Sequence, residues 1–209
     1  MLYRPVAAFV LVTSFPLLAA ADTKAKFTST WKAPGAPAVA YAGKKVVGLI
    51  VSDDLSLRMS TEEALARELT ARGAAGIAAY RVIPKEEIRD KDRAKHWFEQ
   101  TGAAGVVMMR LVDLSKETTP SSFVWQSASY YGSLWSYYPY AWGSTFEIGP
   151  GQTDIRVVVE TIVFDIASNR PLWAGTSESV NPKDAQALVA AIVESAADRM
   201  RKDGLIRGK

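Results

Sequence analysis

The stretch Lys44-Lys45-Val46-Val47-Gly48-Leu49-Ile50-Val51-Ser52-Asp53-Asp54 decides how the rest of the chain is read. From Val46 to Val51 every residue is apolar or glycine, and charged or hydroxyl side chains stop the run on both sides. A run this short and this uniformly apolar is the pattern of a strand covered on both faces. Such strands belong to sheets with helices packed against them, so amphipathic helices are expected nearby.

Downstream, Ser60 and Glu63 have capping-box spacing and predict a helix over 61–72. Ala64, Leu65 and Leu69 share one of its faces, and Gly73 stands where a C′ glycine belongs. Residues 76–82 form a second short strand candidate. The charged stretch 85–100, with Ile88, Trp97 and Phe98 as apolar contacts, predicts a second helix stopped at Gly102. Val106 to Val112 is a third apolar strand. Thr153 to Asp165 is a long β-branched run, Ser168-Asn169-Arg170-Pro171 supplies turn chemistry, and Leu172 to Ser177 returns as a hairpin partner. Asn181-Pro182 then reads as a cap with an N1 proline. The final helix carries Ala185, Leu188, Val189, Ile192, Val193, Ala196 and Met200 along one stripe and ends at Gly204. The order β-α-β-α-β-β-β-α predicts an α/β layered sandwich with a mixed sheet, a single domain over 44–207. No internal repeat interrupts it.

Upstream, residues 22–43 contain Pro34, Gly35 and Pro37 and are expected to form an extended arm or linker. Residues 1–21 have the anatomy of a cleavable signal peptide. Arg4 supplies the positive region, Val6 to Ala20 the apolar one, and Ala19-Ala20-Ala21 the small-residue cleavage site. Pro16 and the short apolar run disfavour a membrane anchor. The expected product is periplasmic or outer-membrane associated.

Composition narrows the functions. The whole chain holds 25 basic and 22 acidic residues; without Arg4 the mature part has 24 against 22, about +2. These basic residues are scattered, which argues against nucleic acid. The absence of cysteine excludes disulfides, thiolate metal sites, cysteine nucleophiles and lipidation at a cleavage-site cysteine. His96 is the only histidine, so H-E-x-x-H and two-histidine zinc sites are excluded. Flanked by Lys95, Trp97 and Glu99, it reads as a helix-surface histidine. Neither G-x-S-x-G, a P-loop nor G-x-G-x-x-G occurs, and no cofactor is expected.

Several segments together resemble a family of uncharacterised bacterial envelope proteins, many of them lipoproteins. They are F-T-S-T-W-K-A-P from Phe27, G-K-K-V-V from Gly43, E-E-A-L-A-R-E-L from Glu62, Y-Y-G-S-L-W from Tyr130 and W-A-G-T-S-E-S-V-N-P from Trp173. The resemblance implies an envelope location but no activity and no functional residues. The chain departs from the lipoprotein members in having no cysteine at the cleavage site. More distantly, the order of elements is similar to small α/β domains of outer-membrane activators of cell-wall synthases and of secretion lipoproteins, a likeness of fold.

Two sites remain as candidates. Asp53 and Asp54 follow the first strand and Asp113 ends the third; together they could hold a hard cation or act as acid and base in a metal-dependent hydrolase. Aspartate is also the favoured loop residue after a strand, and no D-x-D-x-D-G pattern accompanies these three. The other candidate is the aromatic insertion at 118–150. From Thr118 to Phe146 there is no charged residue, and Phe123 to Phe146 holds ten aromatics. Among them Trp125, Tyr130, Tyr131, Trp135, Tyr137, Tyr138, Tyr140 and Trp142 are expected to form an interaction surface for an envelope protein, peptidoglycan or a membrane, because their flat faces and polar tips suit such contacts. Packing of the segment as ordinary core, or a disordered tract, would give the same composition. The expected function is therefore non-catalytic binding or assembly in the envelope, with the aspartate hydrolase as the alternative.

Overall fold

The computed structural model describes residues 23–36, 41–115, 132–143 and 155–205. The strands are β1 (Lys26–Lys32), β2 (Lys45–Val51), β3 (Ala75–Ala78), β4 (Gly105–Ser115), β5 (Arg156–Asp165) and β6 (Arg170–Val180). The helices are α1 (Leu55–Ala71), α2 (Lys91–Thr101), α3 (Leu134–Trp142) and α4 (Ala185–Lys202), with a 3-10 turn at Ala79–Arg81. The six strands form one sheet in the order β1-β6-β5-β4-β2-β3. β2 runs parallel to β3 and β4, while β4, β5, β6 and β1 alternate antiparallel, so the sheet is mixed as expected.

Alternation along the strands builds two cores. Val47, Leu49, Val106, Met108, Ile162 and Phe164 face α2 and α3, packing on Phe98, Leu134, Tyr137 and Tyr138. The neighbouring positions Val46, Val107, Met109, Val159 and Val163 face α1 and α4, where they meet Leu65, Leu188, Val189 and Ile192. A three-layer sandwich results, and the doubly apolar reading of Val46 to Val51 follows from its central place in the sheet.

Several boundaries differ from the sequence reading: α2 starts at Lys91, capped by Asp90, rather than at Lys85, and β3 ends at Ala78 rather than Val82. Residues 26–32, read as part of the 22–43 arm, are the edge strand β1, paired antiparallel with β6. A bulge at Thr28 inserts one residue, so Phe27 and Trp31 pack on opposite cores rather than sharing a face. Helix α1 starts at Leu55, not Thr61, because the Asp54 carboxylate accepts from the Ser56 and Leu57 amides at 2.8 and 3.1 Å; Ser60 lies inside the helix and donates to the Leu57 carbonyl. Asp184, not Asn181, caps α4. Asn181 adopts φ +48° and pairs with Ile155 through its backbone and its side chain. Finally, α3 lies where an irregular insertion was expected.

Candidate functional site

Helix α3 is held by a capping box. Ser133 Oγ accepts from the Ser136 amide at 3.1 Å, and Ser136 Oγ accepts from the Ser133 amide at 3.1 Å. Pro139 sits inside its nine residues and removes one helical donor, so packing rather than propensity maintains the helix.

That packing uses the aromatics. Tyr137 and Tyr138 are fully buried and Trp142 nearly so. Each ring fills the core, and Tyr137 and Tyr138 also place their hydroxyls on acceptors. Tyr138 donates to the Ile88 carbonyl at 2.5 Å and packs edge-on against Phe98. Tyr137 donates to Glu160 at 2.6 Å. Trp142 has the guanidinium carbons of Arg58 and Arg89 each 5.8 Å from its ring centre.

Tyr137 joins a buried ionic cluster. Arg110 and Glu160 are cross-strand partners in the β4–β5 register, 4% and 1% exposed, with Nη2 to Oε2 at 3.0 Å. Tyr140 covers the other side of Arg110, whose guanidinium carbon lies 4.9 Å from its ring centre. Burial, and then the charge of Glu160, push the Tyr137 phenol well above its ordinary range, so it remains the donor.

A second buried carboxylate closes the sheet beside the same corner. The β2–β3 ladder ends where Ala78 meets Gly48 and the chain turns into the 3-10 segment. Glu62 substitutes for the missing ladder, accepting from the Ile50 amide at 3.2 Å and the Tyr80 amide at 2.6 Å. Arg58 Nε reaches it at 3.2 Å, while Arg58 Nη2 and Trp142 Nε1 have no hydrogen-bond partner among the described residues.

The expected residues thus divide. Of the eight aromatics, Trp125, Tyr130 and Tyr131 lie outside the described residues. The other five share α3, where Tyr137, Tyr138 and Trp142 belong to the core, Trp135 is half-buried against Phe98, and Tyr140 is exposed. Tyr137 and Tyr138 are thus turned into the core, and Tyr140 carries the exposed ring of α3. Among the aspartates, Asp54 caps α1 and Asp53 pairs with Arg89. Asp113 occupies a β4 position opposite Val158, and its side chain lies outside the described part. No cluster of three or more metal-ligating side chains occurs among the described residues. Sequence reading missed Arg110 and Glu160, although each is a lone charge inside an apolar strand run, which is itself the signal of a buried pair.

No family model matches the chain, and no curated protein does. Solved structures do match. A single-substitution variant of the PelC dodecamer from Paraburkholderia phytofirmans has 18% identity and a TM-score of 0.45, covering 83% of this chain and 96% of that one. A second crystal form of the PelC dodecamer gives 18% and 0.42, over 80% and 95% of the two chains. Lipoprotein GNA1162 from Neisseria meningitidis gives 12% and 0.38, over 77% and 99%. At these identities and scores the likeness carries no functional weight.

Proposed function

We propose that the chain is an exported envelope protein of non-catalytic type, a binding or assembly module whose contact surface is the aromatic segment around α3. What supports this reading is how α3 is mounted. Its inner aromatics fix the helix to the sheet, its outer residues Tyr140 and Trp135 face outward or lie at the margin, and the sequence on both sides of it is free of charge from Thr118 to Phe146. A charge-free, aromatic-rich stretch anchored at its middle suits contact with a surface better than free solvation. Trp125, Tyr130 and Tyr131 are the proposed contact residues, with Tyr140 and Trp135 at the rim. The aspartate hydrolase is not favoured, since the carboxylates of Asp53 and Asp54 already have partners within the fold.

The test is a variant carrying Trp125→Ser, Tyr130→Ser and Tyr131→Ser, compared with wild type in vesicle flotation, peptidoglycan pull-down and crosslinking in envelope fractions. Wild type should be retained in at least one assay, and the variant should lose that retention while melting at the same temperature. Retention of the variant at wild-type level, or failure of wild type in all three assays, overturns the proposal.

A further inference from the structure

The sheet has two open edges, and they are finished differently. β1, at one end of the strand order, carries Lys26 and Lys32 at its termini and the Thr28 bulge, devices that keep a free edge from pairing. β3, at the other end, is Ala75-Gly76-Ile77-Ala78, with no charge, no proline and no bulge against β2. Only α1 guards it. The Ala75 amide points inward to the Lys44 carbonyl at 2.8 Å, and the Gly76 amide points outward, donating to Thr70 Oγ1 at 3.2 Å. In a parallel ladder the carbonyl of a residue leaves on the same side as its amide. The half-exposed Gly76 therefore turns its carbonyl outward too, and among the described residues nothing donates to it. Ala78 is buried, so the open part of this edge is its first three residues.

Beside the edge, between α1 and β3, lies a groove of about 360 Å³, within the roughly 300–1,000 Å³ range of ligand clefts. Ala66, Thr70 and Gly76 line it with small side chains, and Glu63, Arg67 and Arg81 bring its charges. These charges do not cancel. Glu63 Oε1 accepts from Arg81 Nε at 2.5 Å and from the Tyr80 hydroxyl at 2.8 Å. Arg67 is exposed and makes no hydrogen bond or ion pair among the described residues. Against the raising effect of burial, the Tyr80 and Arg81 hydrogen bonds and the charges of Arg81 and Arg67 hold the Glu63 carboxyl below its ordinary range. Both guanidiniums thus lie near one carboxylate, and the groove keeps a surplus positive charge.

We infer that this groove and the outer side of β3 receive an extended peptide segment of a partner protein that carries a carboxylate side chain. A main-chain N–H of the segment meets the Gly76 carbonyl, and its carboxylate meets Arg67. Strand addition at an open edge takes its affinity from the main chain and its selectivity from pockets for alternate side chains. A guanidinium fork matches a carboxylate in geometry as well as charge. A second copy of this chain is the wrong occupant, because its own open edge would set Lys26 and Lys32 against Arg67 and Arg81, and like charges opposed across a strand pair destabilise it. This surface is separate from the aromatic segment around α3 and does not depend on the contact role proposed for it.

Amide NMR of the isotope-labelled protein, titrated with an acetylated Val-Glu-Val-Glu-Val peptide, tests the site. Wild type should show saturable shifts centred on the amides of Gly76, Ile77 and Arg67. A counterpart peptide with lysine in place of both glutamates should bind about tenfold more weakly or less. Arg67→Glu, at an exposed position without partners, should weaken the acidic peptide about tenfold or more while melting at the wild-type temperature. The acidic peptide with N-methylated main-chain amides should also bind more weakly, since it has lost the donors for Gly76. The variant carrying Trp125→Ser, Tyr130→Ser and Tyr131→Ser should bind as wild type does. Absence of saturable shifts in wild type overturns the proposal, as does equal binding by Arg67→Glu or by the N-methylated peptide. Loss of binding in the aromatic variant would put the peptide on the aromatic segment and overturn the β3 site.

Discussion

At the residue scale the chain keeps two carboxylates out of water, and each is satisfied differently. Glu160 is balanced by a full charge, Arg110, and by the Tyr137 hydroxyl. Breaking a buried pair by deleting one partner leaves an uncompensated charge, so Glu160→Ala should cost about 3–5 kcal/mol, whereas Tyr137→Phe, which removes one hydrogen bond to a charged group, should cost about 1.5–3 kcal/mol. Urea denaturation of both variants checks the ranking; equal losses would show that the ion pair adds nothing beyond the phenol. Glu62 leans on two backbone amides and on Arg58. Burial raises its carboxyl pKa from the ordinary 4.5, against the lowering effect of these donors. The folded chain therefore holds this proton more tightly than the unfolded chain does. Its stabilising effect is complete below the ordinary glutamate range and is lost as pH rises through the raised folded value. The stability lost in Glu62→Gln should accordingly be largest near pH 4 and shrink toward pH 8; a constant or growing loss would contradict the raised value. Neither carboxylate was singled out from sequence: Glu160, a lone charge in an apolar run, does not say which distant charge it meets, and Glu62 stands beside Glu63 in a helix whose buried face only the fold decides.

At the scale of elements, what could be read depended on whether one strand face or one helix stripe carried the signal. Val46 to Val51 announced a covered strand because both neighbours in the sheet and both helical layers demand apolar side chains there. Helix α4 was equally plain, with Leu188, Val189, Ile192 and Ala196 on one stripe facing β5 and β6. The first turn of α1 was hidden because Asp54 reads equally well as a loop acid and as a cap, and only the fold decides. α3 was hidden more deeply: aromatics surround it with no polar face, Pro139 breaks its local preference, and its stability comes from rings seated in a core assembled from distant strands. β1 escaped because its alternation is scrambled by the Thr28 bulge. The joint between α1 and β3 makes a sharp test. A Cβ on Gly76 would stand 2.1 Å from the Ala66 carbonyl oxygen, a backbone atom that cannot turn aside, whereas a Cβ on Gly48 would meet the Leu65 side chain at 2.7 Å. Gly76→Ala should therefore displace α1 and destabilise more than Gly48→Ala, which belongs to the roughly 1–3 kcal/mol class of overpacked cores. Thermal melts of the two variants decide it, and the reverse order would mean that α1 slides freely on the sheet.

At the scale of the whole molecule the three-layer sandwich holds one apolar core on each face of its six-stranded sheet, and the large apolar side chains exposed among the described residues are Met59, Tyr140 and Val180. Among the described residues no helix is long and apolar enough to cross a membrane.

The pairing of β1 with β6 also sets a timetable. Lys32 meets Trp173 and Lys26 meets Glu178, separations of 173 − 32 = 141 and 178 − 26 = 152 residues. Pairing this distant in sequence closes a long loop, so the seam forms only once nearly the whole described chain is available. Until then the apolar faces of Phe27 and Trp31 have no sheet to join, and β6 in turn is made with its outer edge open. The last seam of this fold is closed by the earliest strand, so a molecule interrupted near its end would present both a loose strand and an unfilled edge of matching register. That is a geometry from which one chain can complete another.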